Sequence, residues 1–167
     1  MHYVNNPMEL PAAAAPGVAG RALALGRRAA RGLERLSPLV DLALRLTVAA
    51  VFFKSGLTKI ASWDTTLSLF ENEYAVPLLP PEAAALLGTG VELFFPVLLV
   101  LGLGTRFAAA VLFVFNVVAV ISYPDLGAAG FKDHQTWGLM LLVTLTHGAG
   151  ALSLDGLLQR RAPALPR

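Results

Sequence analysis

Glu92 stands in "GTGVELFFPVLLV", one acid among apolar neighbours, with Pro96 four residues on. A carboxyl in such a setting can move a proton, hold the polar end of a ligand, or lock packing through a buried pair. Pro96 has no N–H to bond the Glu92 carbonyl, so this position offers a freed C=O beside its carboxyl. Gly88 and Gly90 precede it and let a second helix or a ligand come close. Upstream, "LALRLTVAAVFFKSGLTKI" places Arg45, Lys54 and Lys59 in another greasy run. Arg45 and Lys59 are 14 residues apart, so at 3.6 residues per turn they lie about 40° from each other, on one face with Asp41, Phe52 and Gly56. Lys54 falls about 180° from Arg45. Two arrangements follow. Either Lys54 reaches for Glu92 while the others snorkel to the two interfaces, or Lys54 snorkels outward and Lys59 faces inward beside Gly56.

Further candidates complete a polar set. Asn116 in "VLFVFNVVAV" and His147 in "LVTLTHGAG" lie near the centres of their own apolar runs. Counting 1.5 Å per residue puts Glu92, Asn116, His147 and Lys54 in one layer near mid-membrane, Lys54 about 6 Å outward. A charge there costs about 2.5–3.5 kcal/mol by insertion scales, and such groups face a bundle interior. His147 suits a proton relay beside Glu92, or a bond to Asn116 or Thr144 in a packed core. A haem held between two histidines would need a second one at depth. Phe94, Phe95 and Phe115 offer a wall for a ring. A second cluster, Asp41, Arg45, Arg106 and Asp155, sits at one rim. It reads as a salt-bridge ring, Asp41 and Arg45 having the i, i+4 spacing, or as a basic notch for an anionic group. "GLGT" is a turn rather than a phosphate loop, and no zinc spacing or Ser-His-Asp pattern occurs.

The elements that position these residues are apolar helices. Of 167 residues, 56% are apolar and 14% charged, against about 45–50% and about 25% in soluble domains. With a mean hydropathy of +0.64, this composition indicates an integral membrane protein. The absence of cysteine excludes disulfides and a cysteine nucleophile, and a net charge of +2 gives no reason to expect nucleic-acid binding. Four stretches reach the roughly 20 residues that a crossing needs. They run about 38–60, 81–103, 105–123 and 135–154. Pro80-Pro81 suits a helix start, Gly102 to Gly104 a tight reversal, and Thr105 an N-cap. Trp63, Tyr74, Tyr123 and Trp137 lie near span ends on one side, as an aromatic belt does.

Basic flanks set the orientation. Arg21, Arg27, Arg28, Arg31 and Arg35 precede the first span, Arg106 follows the middle turn, and Arg160, Arg161 and Arg167 close the chain. These flanks share one side only with four spans, which puts both termini in the cytoplasm. The predicted fold is thus all-α, an integral, multi-pass four-helix transmembrane bundle. Residues 1–37 divide into a disordered start, 1–20, and a basic interfacial helix, 21–37, with Leu23, Leu33 and Leu36 toward lipid. Residues 38–160 form the membrane domain, and 161–167 a cytoplasmic tail. No long apolar region with a small-residue cleavage site precedes the first span, so a cleaved signal peptide is not expected. The loop "SWDTTLSLFENEYAVPLLPP", capped by Ser62 or Asp64, predicts a short amphipathic helix carrying Trp63, Leu67, Phe70 and Tyr74. It serves either as a lid or as an interfacial anchor.

With these residues assembled, the chain resembles the DoxX family of small bacterial membrane proteins. The likeness rests on Arg45, on Gly56-Leu57-Thr58-Lys59, on Glu92, on Gly102-Leu103-Gly104-Thr105-Arg106, and on the closing run Gly148 to Asp155, "GAGALSLD". It extends over about residues 39–160. The resemblance implies a four-helix transmembrane bundle of the bacterial inner membrane. It also implies a link to quinone-coupled oxidation of sulfur compounds such as thiosulfate, to redox complexes that resist oxidative stress, or to metal handling. The chain departs from a self-sufficient oxidase in having neither cysteine nor a haem ligand pair. The expectation is therefore a quinone-interacting subunit of a redox complex, with no covalent cofactor and no metal. Glu92 and His147 would be catalytic, and Lys54, Lys59, Asn116, Phe95, Arg45, Arg106 and Asp155 would bind ligand. Membrane lipids and partner subunits are the implied company, with a homo-oligomer as an alternative. The competing reading is a small-solute carrier or an assembly scaffold with no chemistry of its own.

Overall fold

The computed structural model describes residues 17–161, and these are helical apart from short connections, with no strand among them. The expected disorder of 1–16 and the tail 162–167 lie outside the described residues. Val18, Ala19 and Gly20, read as part of the disordered start, are instead helical. They open α1 (Val18–Glu34), a basic helix whose Leu23, Leu25 and Leu33 side chains are exposed. The unit that begins at Ser37 is separate from it. It contains α2 (Ser37–Ala61), α3 (Trp63–Asn72), α4 (Pro81–Leu101), α5 (Thr105–Ser122), α6 (Gly127–His147) and α7 (Leu154–Arg161).

α2, α4, α5 and α6 form a closed ring. α2 packs on α4 and α6, and α5 packs on the same two. Their shared core is Val48, Ala49 and Phe52 of α2, Leu99 of α4, Ala108, Ala109 and Leu112 of α5, and Leu141 of α6. The alanines let the backbones approach, as in helix packing within lipid, where small residues replace the hydrophobic drive. Gly56 brings α2 close to α4. A Cβ there would meet Leu93 Cδ2 at 2.8 Å and Glu92 Cβ at 3.1 Å. Three helical stretches are long and apolar enough to cross a membrane: Val18–Ala61, within which α2 lies, Pro81–Leu101 and Thr105–Ser122. α6 is the ring's fourth member, but Lys132, Asp133, His134 and Gln135 lower its apolar character.

Most expected boundaries hold to within two residues. Pro80 and Pro81 take the N-cap and N1 positions of α4, and Gly102 and Gly104 turn the chain in left-handed conformations. Two readings need correction. Thr105 is N1 of α5 rather than its cap; the cap residue is Gly104, and a remote carboxylate bonds the free N–H groups there. The last long helix runs Gly127–His147, not 135–154. Hydropathy alone starts it at the first uncharged stretch, whereas a helix accepts Lys132 and Asp133 at its wet end without breaking. Its early stop comes from Gly148 and Gly150, both at positive φ.

The predicted loop helix is α3. Phe70 and Thr66 are buried on it, and Phe70 packs on Ala84 and Ala85 of α4 with Trp63, Leu67 and Tyr74 alongside. Ser62 occupies its N-cap position, but the Ser62 hydroxyl bonds Thr65 Oγ1 instead of a backbone N–H.

Candidate functional site

Glu92 sits halfway along α4, and only 4% of it is exposed. Its partner is Lys59, not Lys54. Lys59 Nζ donates to Glu92 Oε2 at 2.6 Å and to Ser55 Oγ at 2.9 Å. The helical arithmetic had placed Lys59 and Gly56 on one face, and that face meets α4. With Gly56 giving no side chain to part the helices, a long lysine stem reaches the carboxyl directly. Two of the three ammonium protons are used, leaving one free. Lys54 is exposed and does not pair with Glu92.

The pair forms part of the wall of a cavity of about 580 Å³. The rest is largely apolar and aromatic: Phe52 from α2, Phe70 from α3, Tyr74 after it, Phe115 from α5 and Trp137 from α6. Lys54 lines the same cavity. A volume in the range of about 300–1,000 Å³, apolar walls and a few polar groups is the ordinary makeup of a small-molecule site. Gly88 keeps α4 low beneath Phe115 and Phe70, whose rings lie 3.5 and 3.7 Å from where its Cβ would be.

α3 closes the cavity at one end. Thr66 Oγ1 donates to the Lys59 carbonyl at 3.0 Å, and the Ala75 N–H donates to the Ser122 carbonyl at 2.8 Å. Between these ties the rings of Phe70, Tyr74 and Tyr123 stack edge to face at 5.1 and 5.0 Å. Burial, and then Tyr123, Glu73 and Glu92, push the Tyr74 phenol above its ordinary range, so it stays a neutral hydrogen-bonding group. Ser122 lines the cavity and its buried Oγ has no partner.

The remaining candidates divide between the cavity and the opposite end. Asn116 is buried but bonds His134, a residue the sequence reading passed over because it began the helix one residue later. His147 does not share a layer with Glu92. It closes α6 at the other end, its side chain 60% exposed, with Nδ1 3.2 Å from Asp41 Oδ1. The earlier start and stop of α6 move His147 from mid-helix to its last residue. Phe94 and Phe95 do not line the cavity. They stack on each other at 5.3 Å, with Phe94 exposed and Phe95 against Phe107. Phe115 alone of the proposed ring wall is in place.

The second cluster is assembled from backbone groups rather than ion pairs. Arg45 is 0% exposed, and its guanidinium donates to the Leu99 carbonyl at 2.9 Å and the Leu152 carbonyl at 2.7 Å. It therefore pins the glycine-rich segment after α6 to the end of α4. Asp155 accepts from the Gly104 and Thr105 N–H groups, each at 2.9 Å. Burial raises the Asp155 carboxyl, but those two bonds and the charge of Arg45 outweigh it and hold the group below the usual carboxylate range. Arg106 donates to the Thr146 carbonyl at 3.2 Å. Among the described residues the only ion pairs are Lys59–Glu92 and His147–Asp41, so the expected Asp41–Arg45 pair is absent there. No cluster of three or more potential metal-ligating side chains occurs among the described residues.

The family model for DoxX matches residues 40–124, about half of the chain, which takes in Arg45, Lys59, Glu92 and Gly102 to Arg106. The closing run Gly148 to Asp155 lies beyond the matched residues. A Haemophilus influenzae protein described only as uncharacterized is 35% identical over 131 residues, covering 73% of this chain and 85% of that protein. No solved structure matches. Its apolar helices make the chain a membrane protein, and by the family match it belongs to the DoxX family.

Proposed function

We propose that the chain crosses the bacterial inner membrane four times, with both termini cytoplasmic, and serves as a quinone-binding subunit of a redox-linked complex. One observation carries the reading: the Lys59–Glu92 pair is a charged spot in the wall of a largely apolar, aromatic-lined cavity. Two opposed charges buried where lipid surrounds the bundle cost several kcal/mol unless a partner group rewards them. A planar ring would pack between Phe52, Phe115 and Trp137. The free Lys59 proton would meet a ring carbonyl, and Glu92 would hold or release a proton. Reduction of a quinone takes up two electrons and two protons. This chain's part is to hold the ring and the proton, with electrons passing through a partner subunit. Four crossings are supported by the ring of α2, α4, α5 and α6, in which α6 at 21 residues is as long as α4. The positions of Arg106, Arg160 and Arg161 support the orientation.

The test is quinone content. Full-length protein is purified in mild detergent, and its lipid extract is examined by chromatography and absorbance. The comparison is the double variant Lys59→Met with Glu92→Leu, which removes both charges together. Quinone near one per chain in wild type and lost in the folded double variant is the expected result. An extract without quinone, or equal amounts in both proteins, overturns the reading. In that event solute uptake by vesicles, intact or absent, separates a carrier from an assembly scaffold.

A further inference from the structure

His134 faces two spaces. It lines the cavity of the Lys59–Glu92 pair, and it also lines a groove of about 590 Å³ between α5 and α6. Asn116 lines only the groove. The two side chains bond reciprocally: Asn116 Nδ2 donates to the His134 carbonyl at 3.0 Å, and Asn116 Oδ1 lies 2.8 Å from His134 Nδ1. A backbone carbonyl can only accept, so the amide edge turned toward it must be the NH₂. The other edge, toward the ring, is then the amide oxygen, which also can only accept. His134 Nδ1 therefore carries a hydrogen and donates it. No carboxylate bonds the ring among the described residues, so the imidazole is neutral and its remaining nitrogen, Nε2, carries a lone pair. Among the described residues Nε2 has no partner. The Trp137 ring, 4.8 Å away edge to face, holds the imidazole from the side. Gly138 allows this, because a Cβ there would press on Asn116 Nδ2 at 3.3 Å.

From this geometry we infer that His134 is a second polar pole of the cavity, a hydrogen-bond acceptor whose tautomer Asn116 enforces. The inference rests on the proposed function and sharpens its ligand. The Lys59 ammonium offers a donor, and His134 Nε2 offers an acceptor on the wall contributed by α6. The complementary ring has an oxygen that accepts at one pole and a hydroxyl that donates at the other. That describes the reduced form, a hydroquinone. A fully oxidised quinone presents two acceptors and leaves Nε2 without a partner, and a polar group that the ligand covers without pairing is the usual source of discrimination between such analogues.

Two measurements test this on the full chain in lipid nanodiscs. The first is nitrogen NMR of protein labelled with ¹⁵N-histidine, which has only three histidines, with His134→Asn assigning the signal. The Nδ1–H neutral tautomer is expected at neutral pH. The Nε2–H tautomer or an imidazolium overturns the inference. The second is titration with a short-chain hydroquinone and with its dimethyl ether. His134→Asn places an amide nitrogen near the former Nδ1, keeps the bond to Asn116, and deletes Nε2. It should weaken hydroquinone binding about five- to tenfold, the loss of one neutral hydrogen bond, and leave the ether unchanged. Equal weakening of both, or of neither, overturns the inference. If wild type binds neither probe and no quinone, the proposed function fails together with the ligand half of this inference, while the tautomer still decides the Asn116–His134 half.

Discussion

Breaking the Lys59–Glu92 pair from one side should cost far more than removing it whole. Glu92→Leu alone strands an ammonium that keeps only the Ser55 hydroxyl, and Lys59→Met alone strands a carboxylate. Removal of one member of a buried pair typically costs about 3–5 kcal/mol. The Lys59 side chain keeps 18% exposure, which lets water in and argues for the lower end, about 3 kcal/mol. The double variant Lys59→Met with Glu92→Leu leaves no charge behind and nearly conserves volume, so about 1 kcal/mol is expected. At about 2–4 °C per kcal/mol, each single variant should lower Tm by roughly 6–12 °C, with the double variant close to wild type. Thermal unfolding in one mild detergent, followed by circular dichroism, gives all four corners of the cycle. A double variant as unstable as the sum of the singles, within about 0.5 kcal/mol, would show that the two groups do not sense each other and would refute the geometry.

The other end of the bundle gives four more expectations. Gly102→Ala should destabilise by more than about 2 kcal/mol, because φ of +67° is costly for alanine and the new Cβ would lie 2.4 Å from Ser153 Cβ; Tm in detergent reads it. Asp155→Ala should cost about 1 kcal/mol as the loss of a helix cap, whereas Asp155→Asn should retain part of it. Since the folded carboxyl sits below its unfolded value, its stabilisation is present at neutral pH and is lost as pH falls below about 4, so the wild-type stability curve should bend there and that of Asp155→Asn should not. Arg45→Met leaves the buried Leu99 carbonyl and the partly buried Leu152 carbonyl without this donor and should cost about 2 kcal/mol, while His147→Ala, at 60% exposure, should change stability by less than about 0.5 kcal/mol and leave any bound quinone in place.

Residue chemistry and helical angle carried the sequence reading a long way in the first half of the bundle and less far in the second. Arg45, Gly56 and Lys59 lie on one arc of α2, and an acid in the middle of a neighbouring apolar helix needed a cation, so the Lys59–Glu92 contact was within reach of arithmetic. Lys54 competed because depth was counted to the backbone, while a lysine stem spans several ångströms and can bring Lys59 inward from its wetter level. α6 was misplaced for a different reason. Its first turns carry Lys132, Asp133 and His134, and hydropathy cannot tell the polar end of a helix from a loop. That slip hid His134 and moved His147 to mid-helix. A signal for His134 did exist: Asn116, a buried amide, needed a partner with both a donor and an acceptor, and a histidine with its own backbone carbonyl supplies both. The role of Asp155 was illegible, because a cap borrowed across 50 residues leaves no local spacing.

The cavity itself argues against a purely structural role for the pair beside it. The space of about 580 Å³ falls in the ordinary range of small-molecule sites. Closing it would need little: larger residues in place of Gly88, Ala84 or Ala119 would fill much of the space, and none of the three has a positive φ. Water is a poor tenant for walls of Phe52, Phe70, Phe115 and Trp137, since it needs two to four polar partners and these rings supply none. The proposed occupant is therefore largely apolar, with a polar end that the third Lys59 proton can reach. An acyl chain meets the first requirement and leaves that third proton unused; a ring bearing oxygens meets both.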